Sequence, residues 1–266
     1  MSQKGFFTDT TICIGCKACE VACKQWNQLP EDGFYFSGRS YDNTMGLGPS
    51  TWRHVSFVER DMTLQTQETG VGAFSWLLMS DVCKHCERAG CLESCPTGAI
   101  VRTEFGNVYV QPDVCNGCGY CVSSCPFGVI DRRQDDGRAW KCTLCYDRLK
   151  ADLEPACAKT CPTKSIRFGD LEELHEYAQA RLQKLHNEGM TDAYLYGMRK
   201  EDQPGTEGLH AFCLLADQSE VYNLPPEPEV PTKHVKESWL SMAIGGFAAA
   251  LIAIGSVMLS SNGGRR

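Results

Sequence analysis

The chain has 266 residues, and its 26 Lys+Arg against 33 Asp+Glu give a formal net charge of −7. That length suits one or two globular domains, and an apolar fraction of 42% excludes wholesale disorder. The acidic balance argues against a nucleic-acid binder, so no nucleic-acid partner is expected, and the composition fits neither collagen nor a coiled coil.

Cysteine is the anomaly: 17 residues, about 6% of the chain and several times ordinary usage. Sixteen fall into four tight groups. The N-terminus shows no charged-then-apolar export leader, and Arg132-Arg133 lies too far along the chain to be a twin-Arg signal. The first group is Cys13, Cys16, Cys19 and Cys23. Residues 31–50 are rich in Gly, Ser, Asn and Asp and read as loop. Thr51 to Glu59 sets Trp52, His54, Ser56 and Val58 against Arg53, Val55, Phe57 and Glu59, the alternation of a strand. A core role is expected for its aromatic residues. The second group is Cys83, Cys86, Cys91 and Cys95. A strand pair follows, Ala99 to Thr103 and Val108 to Val110, turning at Phe105-Gly106-Asn107.

The third group is Cys115, Cys118, Cys121 and Cys125, and the fourth Cys142, Cys145, Cys157 and Cys161. A helix is expected from Asp170 to about residue 188. Asp170 suits the N-cap, Glu172 and Glu173 the first turn, Leu171, Leu174, Ala178, Leu182 and Leu185 repeat at helical spacing, and Gly189 offers a stop. Cys213 stands alone and reads as a small buried apolar residue. Residues 224–237 form a Pro-rich linker, a stiff extended spacer. Trp239 to Leu259 then runs without a charge. As a helix it would span roughly 31 Å, the thickness of a bilayer core. The expected anchor is 238–260, followed by a short tail, 261–266. Trp239 suits an interface, and Gly245, Gly246 and Gly255 suit close packing on another membrane helix. Lys233 and Lys236 at one end balance Arg265 and Arg266 at the other, so charge leaves the orientation open.

The first and third groups read C-x2-C-x2-C-x3-C, the bacterial ferredoxin run. The second reads C-x2-C-x4-C-x3-C. The fourth separates C-x2-C from C-x3-C by eleven residues. In such runs three Cys wrap three iron corners of one cubane, and the fourth ligates its neighbour. Thiolates are soft ligands suited to iron–sulfur cores. Gly15 and Gly117 would let backbone N–H groups approach the sulfurs. A disulfide scaffold would need export or small size, and two identical runs within eleven residues are foreign to it. Zinc ribbons would leave the third Cys of each run surplus. Four [4Fe–4S] clusters are therefore expected. With oxidised clusters adding about −2 each, the net charge becomes roughly −15. Lys17, Lys24, Lys84, Arg88, Lys141, Arg148, Lys159 and Lys164 lie where they could offset that field or be ordinary solvated charges. His54 and His85 are expected as polar contacts, since every group already has four Cys.

Two clusters per module means two modules. The nineteen residues between Cys95 and Cys115 favour pairing the second group with the third, and pairing the third with the fourth stays open. There is no Rossmann fingerprint, P-loop or hydrolase elbow. The expectation is a non-catalytic wire with separate donor and acceptor. A free ferredoxin-like carrier and a metal-storage scaffold are the alternatives. The hydrophobic span speaks against the first and the ligand-complete groups against the second.

Thr11-Ile12-Cys13-Ile14-Gly15-Cys16-Lys17-Ala18-Cys19, Cys115-Asn116-Gly117-Cys118-Gly119-Tyr120-Cys121, Lys141-Cys142-Thr143-Leu144-Cys145, Pro155-Ala156-Cys157 and Cys161-Pro162-Thr163 resemble the iron–sulfur subunits of molybdopterin oxidoreductases. With its C-terminal span, the chain is most similar to the beta subunit of membrane-bound formate dehydrogenase. The resemblance covers nearly the whole chain; all four groups keep Cys throughout, and the first departs only in having Lys24 where Pro96, Pro126 and Pro162 follow the others. It implies an α+β fold of two bacterial-ferredoxin-like modules within 1–223, the outer from 1–30 and 140–170 and the inner from 80–135. It implies nested ligation: Cys13, Cys16, Cys19 and Cys161 at cluster A; Cys142, Cys145, Cys157 and Cys23 at cluster B; Cys83, Cys86, Cys91 and Cys125 at cluster C; Cys115, Cys118, Cys121 and Cys95 at cluster D. It also implies a molybdopterin (Mo or W) catalytic subunit that oxidises formate, a membrane cytochrome b subunit leading to quinone, contact with membrane lipid, and a globular part on the periplasmic side of a bacterial inner membrane. A thiosulfate, polysulfide or nitrate reductase, or a hydrogenase, would use an equivalent subunit.

Overall fold

The computed structural model describes residues 2–33, 36, 38, 41–44, 46–61 and 74–263. Parts of the expected 31–50 loop, and Gly264, Arg265 and Arg266 of the expected tail, lie outside them. The chain divides into two units, one reaching to Val230 and the other starting at Pro231.

Strands and helices in the first unit run in this order: β1 Lys4–Asp9, α1 Ala18–Asn27, β2 Arg53–Asp61, β3 Phe74–Val82, α2 Gly90–Glu93, β4 Ile100–Arg102, β5 Val108–Val110, α3 Tyr120–Ser123, β6 Asp131–Arg132, β7 Ala139–Trp140, α4 Tyr146–Lys150, α5 Ala156–Thr160, β8 Ile166–Asp170, α6 Leu171–Asn187, β9 Tyr194–Tyr196 and β10 Ala211–Leu215. One sheet has the order β8-β1-β10-β9. There β1 runs antiparallel to β8 and parallel to β10, and β9 is antiparallel to β10.

The two phenylalanines of β1 show how this sheet divides the unit. Successive strand residues face opposite sides. Phe6 joins the core around Cys19, Cys23, Cys142 and Cys157, while Phe7 joins Leu174, Ala178 and Phe212 beneath α6. The Phe7 and Phe212 rings lie 5.3 Å apart. One face of the sheet therefore meets the cysteines and the other meets an ordinary apolar core.

The expected strand at 51–59 is found as β2, paired antiparallel with β3 from Arg53 opposite Val82 to Asp61 opposite Phe74. The short pair β4–β5 lies where the alternation put it. Helix α6 follows Asp170, as its periodicity indicates, but the Asp170 carboxylate makes no cap to the helix amides. It accepts instead from Lys4 Nζ at 2.9 Å, tying the helix start to β1.

The Pro-rich stretch differs from the expected spacer. Leu224 and Val230 are buried, and Tyr196 donates its hydroxyl to the Pro225 carbonyl. Proline disfavours helix without preventing an extended segment from placing apolar side chains into a groove. Residues 224–230 thus belong to the first unit.

The second unit holds a short 3-10 turn at Pro231–His234 and α7, Val235–Gly263. The helix starts three residues before the expected anchor. Its length is roughly 43 Å, more than a bilayer core requires. Leu240, Met242, Ile244, Phe247 and Ile252 are all exposed. By length and composition, the one candidate membrane span among the described residues is Pro231–Ser256, which takes in α7 as far as Ser256.

Candidate iron–sulfur centres

Each cysteine group is placed by a turn and a short helix. Cys19 and Cys23 lie in α1, Cys91 in α2, Cys121 in α3 and Cys157 in α5. Cys95, Cys125 and Cys161 come just after their helices, before Pro96, Pro126 and Pro162. A residue preceding proline is pushed out of helical backbone, and Cys161 is extended at φ −67°, ψ 111°. No proline follows Cys23, and α1 continues to Asn27. The departure seen in the first group therefore lengthens a helix.

The residue two positions after the first Cys has left-handed backbone in every group: Gly15, His85, Gly117 and Leu144. Glycine reaches that conformation without strain, whereas His85 and Leu144 adopt it despite a Cβ. The conformation aims amides at sulfur. The Gly15 amide hydrogen-bonds Cys13, and the Leu144 amide donates to Cys142 Sγ at 3.4 Å. Ala139 N–H donates to Cys115 Sγ at 3.4 Å and Asn27 Nδ2 to Cys23 Sγ at 3.7 Å.

Helix α1 packs against α5, bringing the first and fourth groups together, and α2 packs against α3, bringing the second and third together. Cys13, Cys16, Cys19 and Cys161 line one small cavity. Burial pushes the Cys23 thiol well up, and the neighbouring Cys142, Cys157 and Cys145 push it further. Burial likewise raises Cys86, followed by Cys83, Cys91 and Cys125. Cys121 is pushed up to about 11 by burial, then by Cys115, Cys118 and Cys95. Four sets of four neighbours result. Cys16 and Cys118 are exposed, and Cys23, Cys142, Cys145 and Cys157 are all buried.

Among the described residues, no three His, Cys, Asp or Glu side chains converge on a single-ion position. A cubane needs no such convergence, because each of its iron corners takes one thiolate. A cysteine-lined cavity with amides directed at sulfur fits an iron–sulfur group. Burial keeps the Cys23, Cys86, Cys121 and Cys142 thiols protonated, so ligating iron there would displace protons.

The basic residues near these groups separate into two kinds. Lys159 and Lys164 are exposed. Lys17 bonds Asp42 at 2.6 Å, Lys24 bonds Asp32 at 2.9 Å and Arg88 bonds Glu93 at 2.9 Å. Lys84, Lys141 and Arg148 are buried. Lys84 pairs with Asp81, while Lys141 donates to the carbonyls of Val108 and Cys142 and to the Cys83 sulfur. Arg53, absent from the basic residues singled out by sequence, is also fully buried beside Cys157, Cys19, Cys142 and Cys23. Burial works against its charge, and negative charge on those sulfurs works for it. The signal was an arginine sharing a strand face with Val55 and Phe57.

His54 and His85 are polar contacts. His54 Nε2 hydrogen-bonds Asp42 Oδ2 at 3.0 Å, and His85 Nδ1 accepts from the Val108 amide at 3.1 Å. Trp52 is core, stacked on Trp140 with ring centroids 6.4 Å apart. Cys213 is buried in β10 among apolar side chains.

The fold and its cysteines define an iron–sulfur protein with four [4Fe–4S] clusters: two family models, each described as a 4Fe-4S dicluster domain, match residues 12–99 and 74–171. The formate dehydrogenase iron-sulfur subunit of Haemophilus influenzae is 40% identical over 254 residues, 92% of this chain and 77% of that protein. The iron-sulfur subunit of the nitrate-inducible formate dehydrogenase of Escherichia coli is 38% identical, over 92% of this chain and 81% of that protein. A subunit of the E. coli anaerobic dimethyl sulfoxide reductase is 36% identical over 66% of this chain and 77% of its own length. The chain belongs to the family of formate dehydrogenase iron–sulfur subunits.

Proposed function

We propose that this chain is the electron-transfer subunit of a membrane-bound formate dehydrogenase. The observation that carries the reading is the gathering of sixteen cysteines into four neighbouring sets in a chain that also has a membrane-length helix. Cys13, Cys16, Cys19 and Cys161 hold cluster A; Cys23, Cys142, Cys145 and Cys157 cluster B; Cys83, Cys86, Cys91 and Cys125 cluster C; Cys95, Cys115, Cys118 and Cys121 cluster D. Cys19 neighbours Cys157, Cys142 neighbours Cys83, and Cys91 neighbours Cys121, which supports the order A, B, C, D. The exposed cysteines, Cys16 and Cys118, fall at the two ends of that order.

In this reading a molybdopterin subunit oxidises formate and delivers electrons at one end. A membrane cytochrome b subunit receives them at the other and passes them to quinone. Helix α7 lies in lipid, and the globular unit faces the periplasm. The dimethyl sulfoxide reductase relative supports a second molybdoenzyme as alternative partner, but it matches 66% of this chain where the formate dehydrogenase relatives match 92%. The test is detergent purification with α7 intact, identification of co-purifying subunits, and assay of formate-dependent quinone reduction. A molybdopterin subunit, haem and formate activity are expected. Activity with a sulfoxide and none with formate would move the chain to the second reading. Protease treatment of spheroplasts tests the side: cleavage of the globular unit is expected, and its protection would reverse the orientation.

A further inference from the structure

Arg53 has an unusual environment for a buried cation. It lies on β2, opposite Val82 and so next to the start of the second cysteine group. Its Nη1 donates to Ser80 Oγ at 3.0 Å and to the Ser80 carbonyl at 3.3 Å. Ser80 Oγ in turn lies 3.2 Å from Cys19 Sγ. The guanidinium carbon stands 4.9 Å from the centre of the Phe6 ring. Nε and Nη2 are buried and have no hydrogen-bond partner. No carboxylate among the described residues pairs with this side chain.

A buried guanidinium without a counter-ion is strongly disfavoured, and so are buried N–H groups without acceptors. Both penalties disappear if the missing acceptor and the missing negative charge are the same object. The neighbours of Arg53 are Cys19, from the set assigned to cluster A, and Cys157, Cys142 and Cys23, from the set assigned to cluster B. Lys141 provides the contrast, because its ammonium is already met by two carbonyls and the Cys83 sulfur.

We propose that Arg53 is a positioning residue for electron transfer: its unpartnered Nε–H and Nη2–H donate to sulfur at the junction of clusters A and B, and its charge raises the reduction potential there. This rests on the ligand sets proposed above. Reduction adds one electron to a centre and takes up no proton from Arg53, which stays a cation throughout. A fixed positive charge in a medium of low dielectric favours the more negative, reduced state. Arginine suits the position because one nitrogen can be anchored by Ser80 while two others remain directed elsewhere, a geometry lysine lacks.

The experiment uses the anaerobically purified complex with Arg53→Gln and Arg53→Lys variants, an iron assay, and redox titration followed by EPR. In Arg53→Gln, two of the four centres are expected to shift at least tenfold toward the oxidised form, about 59 mV for a one-electron couple. The other two should stay unchanged, and Arg53→Lys should shift less. Full iron with four wild-type potentials in Arg53→Gln would overturn the proposal. Where Arg53→Gln fails to hold iron, pulsed EPR on wild-type protein grown with ¹⁵N-arginine decides. An arginine nitrogen coupled to a reduced centre, and lost in Arg53→Lys, is expected, and no such coupling would overturn the proposal. Wild-type protein without four reducible centres would instead remove the ligand assignment on which it rests.

Discussion

Leu144 sets two physical effects against each other. It is fully buried between Cys142 and Cys145 and holds φ at +60°. Left-handed backbone costs an L-residue about 1–2 kcal/mol, so Leu144→Gly should recover that amount. Emptying a buried leucine site costs about 2–5 kcal/mol through lost burial and the cavity left behind. Glycine adds roughly 0.5–1 kcal/mol of unfolded-state entropy. Burial therefore outweighs strain, and Leu144→Gly should be less stable than wild type by about 2–4 kcal/mol. Because unfolding with bound clusters is not a two-state equilibrium, the assay is the rate at which visible absorbance bleaches on anaerobic heating. If the whole difference appears in that rate, bleaching quickens by tens to hundreds of fold, given tenfold per 1.4 kcal/mol. Leu144→Ala makes most of the cavity without relieving the backbone, so it should bleach at least as fast as Leu144→Gly. A Leu144→Gly protein as durable as wild type would show that relief of backbone strain fully offsets the lost burial and would refute the reasoning.

Nested ligation makes a crossed expectation: Cys161→Ser should disturb the centre of Cys13, Cys16 and Cys19, and Cys23→Ser that of Cys142, Cys145 and Cys157. EPR of the two variants distinguishes them, and loss of the same signal in both would rule out the nesting. Cys213 is pushed up to about 11 by burial. The folded protein should therefore leave it unalkylated at pH 8, with reactivity appearing only as pH approaches that value and the thiolate forms. Peptide mass spectrometry reads the label, and modification in the native state at pH 8 would contradict the burial. Ending the chain after Val230 should free the globular unit from membranes with its iron retained. Ending it at residue 223 removes buried Leu224 and Val230 as well, at about 1.5–3 kcal/mol each, and should bleach faster on heating. Equal durability of the two truncated forms would mean that the Pro-rich stretch is only a spacer.

What was legible in the sequence is what is local. The cysteine runs, the β2 strand, the β4–β5 pair, the α6 repeat and the apolar C-terminal run all lie within one stretch of chain. Partners far apart in sequence were hidden. Nothing near Phe6 indicates that β1 will pair in parallel with β10, opposite Ala211. The partner of β2 was equally silent, because alternation marks a strand and leaves its neighbour open. The Pro-rich stretch was read from composition, which reports stiffness and says nothing of the groove that accepts Leu224 and Val230. Arg53 escaped for a related reason. Charge on a strand usually means solvent, and only the cysteines of distant segments make its burial tolerable.

The most direct test of the central claim is rapid-freeze EPR of the intact complex mixed anaerobically with formate. The iron–sulfur signals of this chain should appear within one turnover and disappear again when a quinone analogue is added. Centres that stay oxidised under formate, while quinone is still reduced at the full rate, would mean that the electrons travel by another route.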